Sequence, residues 1–526
     1  MANIFYLGEN MSNLPDYLKQ GEPARLIPVA SDKEVGAVSI VLSIIQSVPP
    51  FAEALMSSIG QRVGIRSKTE CFTEVVFKKS PLNTEIRPDG LLIIKVGNRS
   101  WKAIIEAKVG NQQIEENQII NYCQLAKQNG IDTIITLSNQ FAALPTHHPL
   151  KLNKRATSGI NVYHWSWMYI ITQAQLTLAD NDFKIPEQRY LLEEMIKYFG
   201  HEKVPVSSFA RMNKEWADLV TMVQRHATLN KTSPEVQNSV AAWHQEQKDI
   251  CLKLSRDIEH HVTLKLSRKH LVDQEQRLLD DSRELVESNT LQCILEIPDA
   301  ASPITIIADV RGRTVSCEMR VTAPKDKKRS SSRVNWMVGQ LKKVEEPGDI
   351  IIKAIWPKRA SPTQAALSKL REEPTILLSE NDSLLPQYFE VSITRDLAGK
   401  FSGTKTFIEQ FENAVLNFYK TVGEHLQNWI SPPPKLKSKL DEPQKEEDHL
   451  SKTSKEALES GRDISDDSEG SNLNKITNEE TELGDQETSE ILETEKNHDQ
   501  YSDPRSPHID MSSHQLTKDK TTENTD

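Results

Sequence analysis

The sequence predicts an α/β protein: a layered α-β-β-β-α-β unit first, then a helical segment, then a second mixed α/β (α+β) domain. Three observations predict it. Apolar residues at helical spacing bracket runs of β-branched and aromatic residues near the N-terminus. Short connections holding Gly, Asn or Pro separate those runs. Helical patterning fills residues 186–289, and strand-like runs return across 291–430. A chain of 526 residues is too long for one core, since domains typically hold about 100–200 residues. The expected units are 1–182, 186–289, 291–430 and a tail, 431–526.

In the first unit, Ser31-Asp32-Lys33-Glu34 has the form of a capping box. Val35, Val38, Val41, Leu42 and Ile45 share the helical face that follows, and Pro49-Pro50 ends it. A short helix is expected over Phe51–Ile59. Glu70–Phe77, Ile86–Val96 and Trp101–Val109 read as strands, the last two joined at Gly97-Asn98-Arg99-Ser100 as a hairpin. Gln112–Gln128 reads as a helix stopped by Asn129-Gly130. Asp132–Leu137 is a buried strand, and Val162–Trp167 a further strand leading into a helix.

In the second unit, Ser233-Pro234-Glu235 is a helix start with Ser at the cap and Pro at the first position. Trp243, Ile250, Leu264, Leu271, Leu278 and Leu285 then recur at sevens with Asp257 breaking the series, and the companion heptad positions are mostly polar, which reads as a partly coiled-coil-like helix over 233–288. It either packs on its own protein or pairs with a second copy as a homo-oligomer. His260-His261 falls inside it and reads as solvated. In the third unit the expected strands are Cys293–Ile297, Ile304–Val310, Thr314–Val321, Ile350–Trp356, Thr375–Leu378 and Tyr388–Ile393. The expected helices there are Ser332–Lys343 and Thr406–Trp429.

The net charge of −11 comes from 64 basic and 75 acidic residues. The tail holds 12 and 25 of these, leaving 52 and 50 in residues 1–430. The body is therefore near neutral, which permits a polyanionic partner. The tail has one aromatic, Tyr501, and too little apolar surface to offset ordering entropy, so it reads as disordered. Five scattered cysteines form no CxxC pair, so neither a zinc site nor a disulfide frame is expected. Without a signal-like run or a span of about 18 apolar residues, a cytoplasmic location and no membrane partner are expected.

The chemistry-bearing set is Pro88-Asp89-Gly90, then a strand, then Glu106-Ala107-Lys108. Alternation along a strand puts Glu106 and Lys108 on one face and Ala107 on the other. Asp89 opens the neighbouring strand, so three charged groups converge. Two carboxylates with a carbonyl and water suit Mg²⁺ (or Mn²⁺), a cation that seeks oxygen. Asp89, Glu106 and the Ala107 carbonyl are the expected ligands. Glu34 is either a further ligand or only a helix cap. A cation held there activates water and neutralises charge on phosphate, with Lys108 stabilising the charged state. Glu70 and Glu74 are weaker acidic candidates.

These residues resemble the PD-(D/E)xK nuclease superfamily. Gln118-Ile119-Ile120-Asn121-Tyr122 is similar to the QxxxY motif of its RecB-like branch. The resemblance covers about Ser31–Trp167. It implies a restriction-endonuclease-like αβββαβ core, with Asp89, Glu106 and Lys108 as catalytic residues and Gln118 and Tyr122 supporting Lys108 and the substrate phosphate. The implied activity is metal-dependent hydrolysis of phosphodiester bonds, with DNA as the expected nucleic acid. The alternative is a nuclease-like fold serving only as an interaction module. Lys325, Lys327, Lys328, Arg329, Arg333, Trp336, Lys358 and Arg359 mix basic and aromatic side chains and form a candidate nucleic-acid contact. Thr146-His147-His148-Pro149 suggests a metal, but adjacent His side chains in a Pro-flanked loop rarely chelate one ion; His164 with Trp165 and Trp167 reads as a packed edge, the alternative being stacking on a base.

Overall fold

The computed structural model describes residues 14–27, 33–64, 66–80, 86–381 and 383–430. Ser31 of the expected capping box and the acidic tail lie outside the described residues. The described part is a mixed α/β structure with two sheets.

The first sheet runs β1 (Leu18–Pro23), β2 (Lys68–Phe77), β3 (Gly90–Val96), β4 (Arg99–Ala107), β5 (Thr133–Ser138) and β6 (Asn161–Ser166), in that spatial order. Strands β1 to β4 pair antiparallel, while β4, β5 and β6 run parallel. The β3–β4 hairpin turns at Gly97 and Asn98, with Val96 opposite Arg99 and Gly97 at φ +58°. That φ favours glycine.

Helices cover both faces of this sheet. On one side lie α1 (Lys33–Ser47), α2 (Pro49–Ser57), α4 (Trp167–Asp180) and α5 (Pro186–Phe199); on the other lies α3 (Glu116–Gln128). The axes of α1 and α2 bend by 108° at the break before Pro49-Pro50. Val38, Val41, Leu42 and Ile45 of α1 are each buried against the sheet. Such a side chain gains about 1.5–3 kcal/mol on leaving water. Val38 and Leu42 sit so close to β3 that a Cβ at Gly90 would lie 3.0 and 2.9 Å from them. Gly90 is thus the residue that lets α1 lie against the strand opening beside Asp89.

The second sheet is wholly antiparallel and has seven strands. It holds β7 (Thr263–Leu264), β8 (Thr290–Glu296), β9 (Ile304–Asp309), β10 (Thr314–Thr322), β11 (Ile350–Ile355), β12 (Thr363–Ala366) and β13 (Tyr388–Asp396). The spatial order is β12-β11-β13-β10-β9-β8-β7. Burial alternates residue by residue along β9 and β11, as expected when one face meets a core and the other water. The remaining helices are α6 (Trp216–Gln224), α7 (Pro234–Ile258), α8 (Arg268–Val272), α9 (Gln274–Ser288), α10 (Ser330–Gln340), α11 (Leu367–Glu372) and α12 (Thr404–Thr421). An aromatic stack of Trp216, Trp243, Phe401, Phe407 and Phe411 fixes α6, α7 and α12 over this core.

Three expectations are corrected. The helix over 233–288 is not continuous. It begins as expected, Ser233 Oγ accepting from the Val236 amide, but ends at Ile258, with Glu259 in the left-handed region at φ +56°. Trp243 and Ile250 are buried in the second core, so they offer no seam to another copy. His260 and His261 follow this helix rather than lie in it. Thr375–Leu378 is no strand: Pro374 opens a 3-10 turn through Leu377. The stretch 186–289 is no separate unit either. Leu192, Met195 and Phe199 of α5 join the first core, whereas α6 and most of α7 join the second. Leu252 of α7 reaches back into the first core. Among the described residues, no single helix is long and apolar enough to cross a membrane.

Candidate active site

The ends of β3 and β4 bring the sequence-predicted charges together. Ile104 faces the α3 side of the sheet, while Ala103, Ile105 and Ala107 face the α1 side. Alternation then sends Glu106 toward α3, where it is 2% exposed. A carboxylate this buried needs donors, and three supply them. Tyr122 Oη donates to Oε2 at 2.6 Å, Gln118 Nε2 to Oε1 at 2.5 Å, and Lys108 Nζ to Oε1 at 2.7 Å. Gln118 and Tyr122 reach one group because they are four apart on α3. The resemblance assigned them to Lys108 and phosphate; in the structure their side chains meet Glu106.

Asp89 stands just before β3 and closes the end of the hairpin ladder. Its Oδ2 accepts from the Ala107 amide at 2.8 Å. The neighbouring strand β2 is irregular here: Glu74 has φ +51°, and the amides of Glu74 and Val75 donate to the carbonyls of Asp89 and Pro88. Bulges commonly re-aim side chains next to sites. Lys108, one residue past β4, turns its ammonium back over the cluster. It donates to Glu106, to Glu34 Oε2 at 3.2 Å, and to the Ala107 carbonyl at 3.1 Å. Glu34 Oε1 also accepts from the Val109 amide at 3.3 Å. The Glu34 carboxylate thus stands at the edge of the cluster.

The electrostatics follow from three acids sharing one ammonium in a mostly buried place. Burial, then the charge of Glu106, pushes Asp89 up to about 8, despite the Ala107 amide and Lys108. Burial works against the charge on Lys108, but Glu106, Asp89 and Glu34 outweigh it and hold its pKa above the ordinary lysine value. These acids favour the ammonium form of Lys108. Burial and the adjacent Glu106 also raise Tyr122, which stays a donor. The cluster is short of positive charge, and its groups are oxygens: Asp89, Glu106 and the Ala107 carbonyl. That set fits a small oxygen-seeking dication, with Glu34 able to join or to keep holding Lys108.

One residue not singled out as part of the site stabilises this end of β4. Trp167, fully buried and stacked on Phe199, donates its indole N–H to the Lys108 carbonyl at 2.9 Å. Trp165 is buried as well, so neither ring is offered to a base. Glu70 pairs with Lys68 and Lys95, and Glu74 with Arg87; both are ion pairs outside the cluster. His147 and His148 share no ligand geometry, since their Nε2 atoms meet the Leu271 carbonyl and Thr136 separately.

The candidate nucleic-acid patch divides. Lys325, Lys328, Arg329, Lys358 and Arg359 are exposed and Lys327 is half-buried. Trp336 packs against the second core. Arg333 is not available for phosphate: it is 9% exposed, and its guanidinium donates to the carbonyls of Lys327 and Pro386. It closes the loop that presents its neighbours. Sequence reasoning also passed over a second acidic group. Glu246, Asp249 and Glu412 have ligand atoms within 4.8 Å of one another. Its signal was two acids three apart on α7, which reads in sequence as an ordinary polar face.

No family model, curated protein or solved structure matches this chain.

Proposed function

We propose that the chain is a metal-dependent nuclease that hydrolyses phosphodiester bonds, with DNA as the substrate class, and that its first sheet is a restriction-endonuclease-like core. The observation that carries this reading is the convergence of Asp89, Glu106 and Lys108 at the ends of one hairpin, with Glu34, Gln118 and Tyr122 around them. Helix α1, strands β2 to β4, helix α3 and strand β5 supply the matching α-β-β-β-α-β order. Asp89, Glu106 and the Ala107 carbonyl hold Mg²⁺ or Mn²⁺. Such an ion supplies Lewis acidity toward a phosphate oxygen and makes bound water acidic enough to attack near neutral pH.

The chain's own groups do the rest. Tyr122 and Gln118 fix the Glu106 carboxylate so that its orientation is set before substrate arrives. Lys108 turns its ammonium toward the negative charge that develops on the scissile phosphate. Glu34 aims that ammonium, and Trp167 holds the backbone from which it projects. The test is cleavage of end-labelled DNA in Mg²⁺, with wild type beside Asp89→Ala and Lys108→Ala. Each variant is expected to lose activity by about 10²-fold or more. Cleavage that persists undiminished in both would overturn the assignment of this cluster.

A further inference from the structure

A second group of acids lies away from the hairpin, where α7 meets α12. Glu246 and Asp249 stand three apart on α7, and Glu412 comes from α12. One ligand atom from each lies within 4.8 Å of the others. Acids gathered like this are common on surfaces and mean little there. Here Glu246 and Asp249 are both 0% exposed.

The decisive feature is what these carboxylates lack. Neither Oε1 nor Oε2 of Glu246 has a hydrogen-bond partner, and Oδ1 of Asp249 has none. The other groups facing the cluster do not reach these oxygens. Asp249 Oδ2 takes the Phe209 amide at 2.7 Å. Lys253 Nζ grips Glu412 Oε2 at 2.6 Å from a partly exposed position. Arg256, within electrostatic reach of Asp249 and Glu412, donates to Thr172. Three buried oxygens of Glu246 and Asp249 thus lack a partner, a costly arrangement unless something binds them.

A proton on Glu246 is the simplest remedy, but it satisfies little. A single proton supplies one donor and leaves at least one of the three bare oxygens without a partner. A cation satisfies all three acids at once. Oxygens around one ion lie apart by at most twice the metal–oxygen distance, about 4.2 Å for Mg²⁺ and about 4.6–5.2 Å for Ca²⁺. Ligand atoms within 4.8 Å of one another are close enough to share one such ion.

We infer that Glu246, Asp249 and Glu412 form a structural binding site for a divalent cation, separate from the hairpin cluster. Its place gives it a role. Helix α7 serves both cores, through Leu252 on one side and Trp243, Ile250 and Leu254 on the other. Phe209, whose amide binds Asp249, also packs against both. An ion here ties α7 to α12 and to the segment that leaves the first core, which locks the seam between the two sheets.

Equilibrium dialysis of the full chain against Mn²⁺, with thermal melting in Mn²⁺ and in EDTA, tests this. Asp89→Asn should keep one bound ion and an EDTA-sensitive melt, whereas Glu246→Gln should lose that ion and that sensitivity. Glu412→Gln, at the more open edge, should weaken it by about tenfold or more, and covers the case in which Glu246→Gln does not fold. If the proposed nuclease site is wrong, wild type itself holds one ion that Asp89→Asn leaves untouched. Anomalous diffraction from Mn²⁺-soaked wild-type crystals decides without a variant. A peak among the three acids supports the site. No peak there, together with a melt that EDTA does not move in Asp89→Asn, overturns it and leaves a shared proton as the remedy.

Discussion

Glu106 carries three donors on two oxygens, and they come from two kinds of constraint: Tyr122 and Gln118 from helix spacing, Lys108 from the residue after the strand. In sequence, the acid and the lysine were legible because Glu-Ala-Lys alternates on a strand, and Gln118 and Tyr122 because they are four apart. Their partner was not legible, since reach across a sheet depends on packing distance. Tyr122→Phe removes the donor to Glu106 Oε2 and keeps the ring. It should lower Mn²⁺ affinity or cleavage by about 10–100-fold while costing at most about 1–3 kcal/mol of stability. Metal titration beside denaturant unfolding checks both halves. Trp167→Phe keeps the stack on Phe199 but leaves the buried Lys108 carbonyl without its indole donor. It should destabilise by about 1–3 kcal/mol, read as a lower urea midpoint.

Between elements, close approach is the deciding quantity. The added Cβ of Gly90→Ala would sit 2.9–3.2 Å from Leu42, Val38 and Ile105, on both the helix and the strand side. Overpacking of this kind costs about 1–3 kcal/mol, and here it would also push α1, with Glu34, away from Lys108. The variant should therefore melt lower and cleave more slowly than its stability loss alone predicts. A hydrogen-bond relay joins β5, β6 and the loop between them. The Leu150 amide donates to His148 Nδ1, so His148 Nε2–H points to Thr136 Oγ1; the Thr136 hydroxyl meets His164 Nδ1, and His164 Nε2–H reaches the Gln140 carbonyl. Each ring is neutral in this chain. Burial lowers His148 to about 3 and His164 to about 4, against about 6.5 in an unfolded chain. The unfolded state takes protons first, so stability is full above about pH 6.5 and falls as pH drops toward 4. Melting temperature should decline across that window, and less steeply in His148→Gln.

Across the whole molecule, the sequence shows strands and helices best where one face is clearly apolar. Val38, Val41, Leu42 and Ile45, and the alternating strands of the second sheet, declare themselves. Strand β1 does not, because Leu18 is its one buried residue and Gly21 and Pro23 argue against a strand. In the heptad series after Ser233, Trp243, Ile250 and Leu285 are buried within this chain, whereas Leu271 is exposed. Trp243 and Ile250 face the second core, and nothing in their spacing distinguishes that from a partner helix. The break at Glu259 carries no Gly or Pro to announce it. Arg333 was grouped with its exposed neighbours for the same reason: charge is visible in sequence and burial is not. The ends of β3 and β4, with α1 and α3 beside them, gather three acids and one ammonium.

The hairpin cluster can act as a nuclease centre only if it grips a divalent ion. Anomalous diffraction from Mn²⁺-soaked crystals of the inactive Lys108→Ala chain measures it directly. The prediction is a peak bounded by Asp89, Glu106 and the Ala107 carbonyl, lost in Asp89→Ala. No density between Asp89 and Glu106 at saturating Mn²⁺ would contradict it.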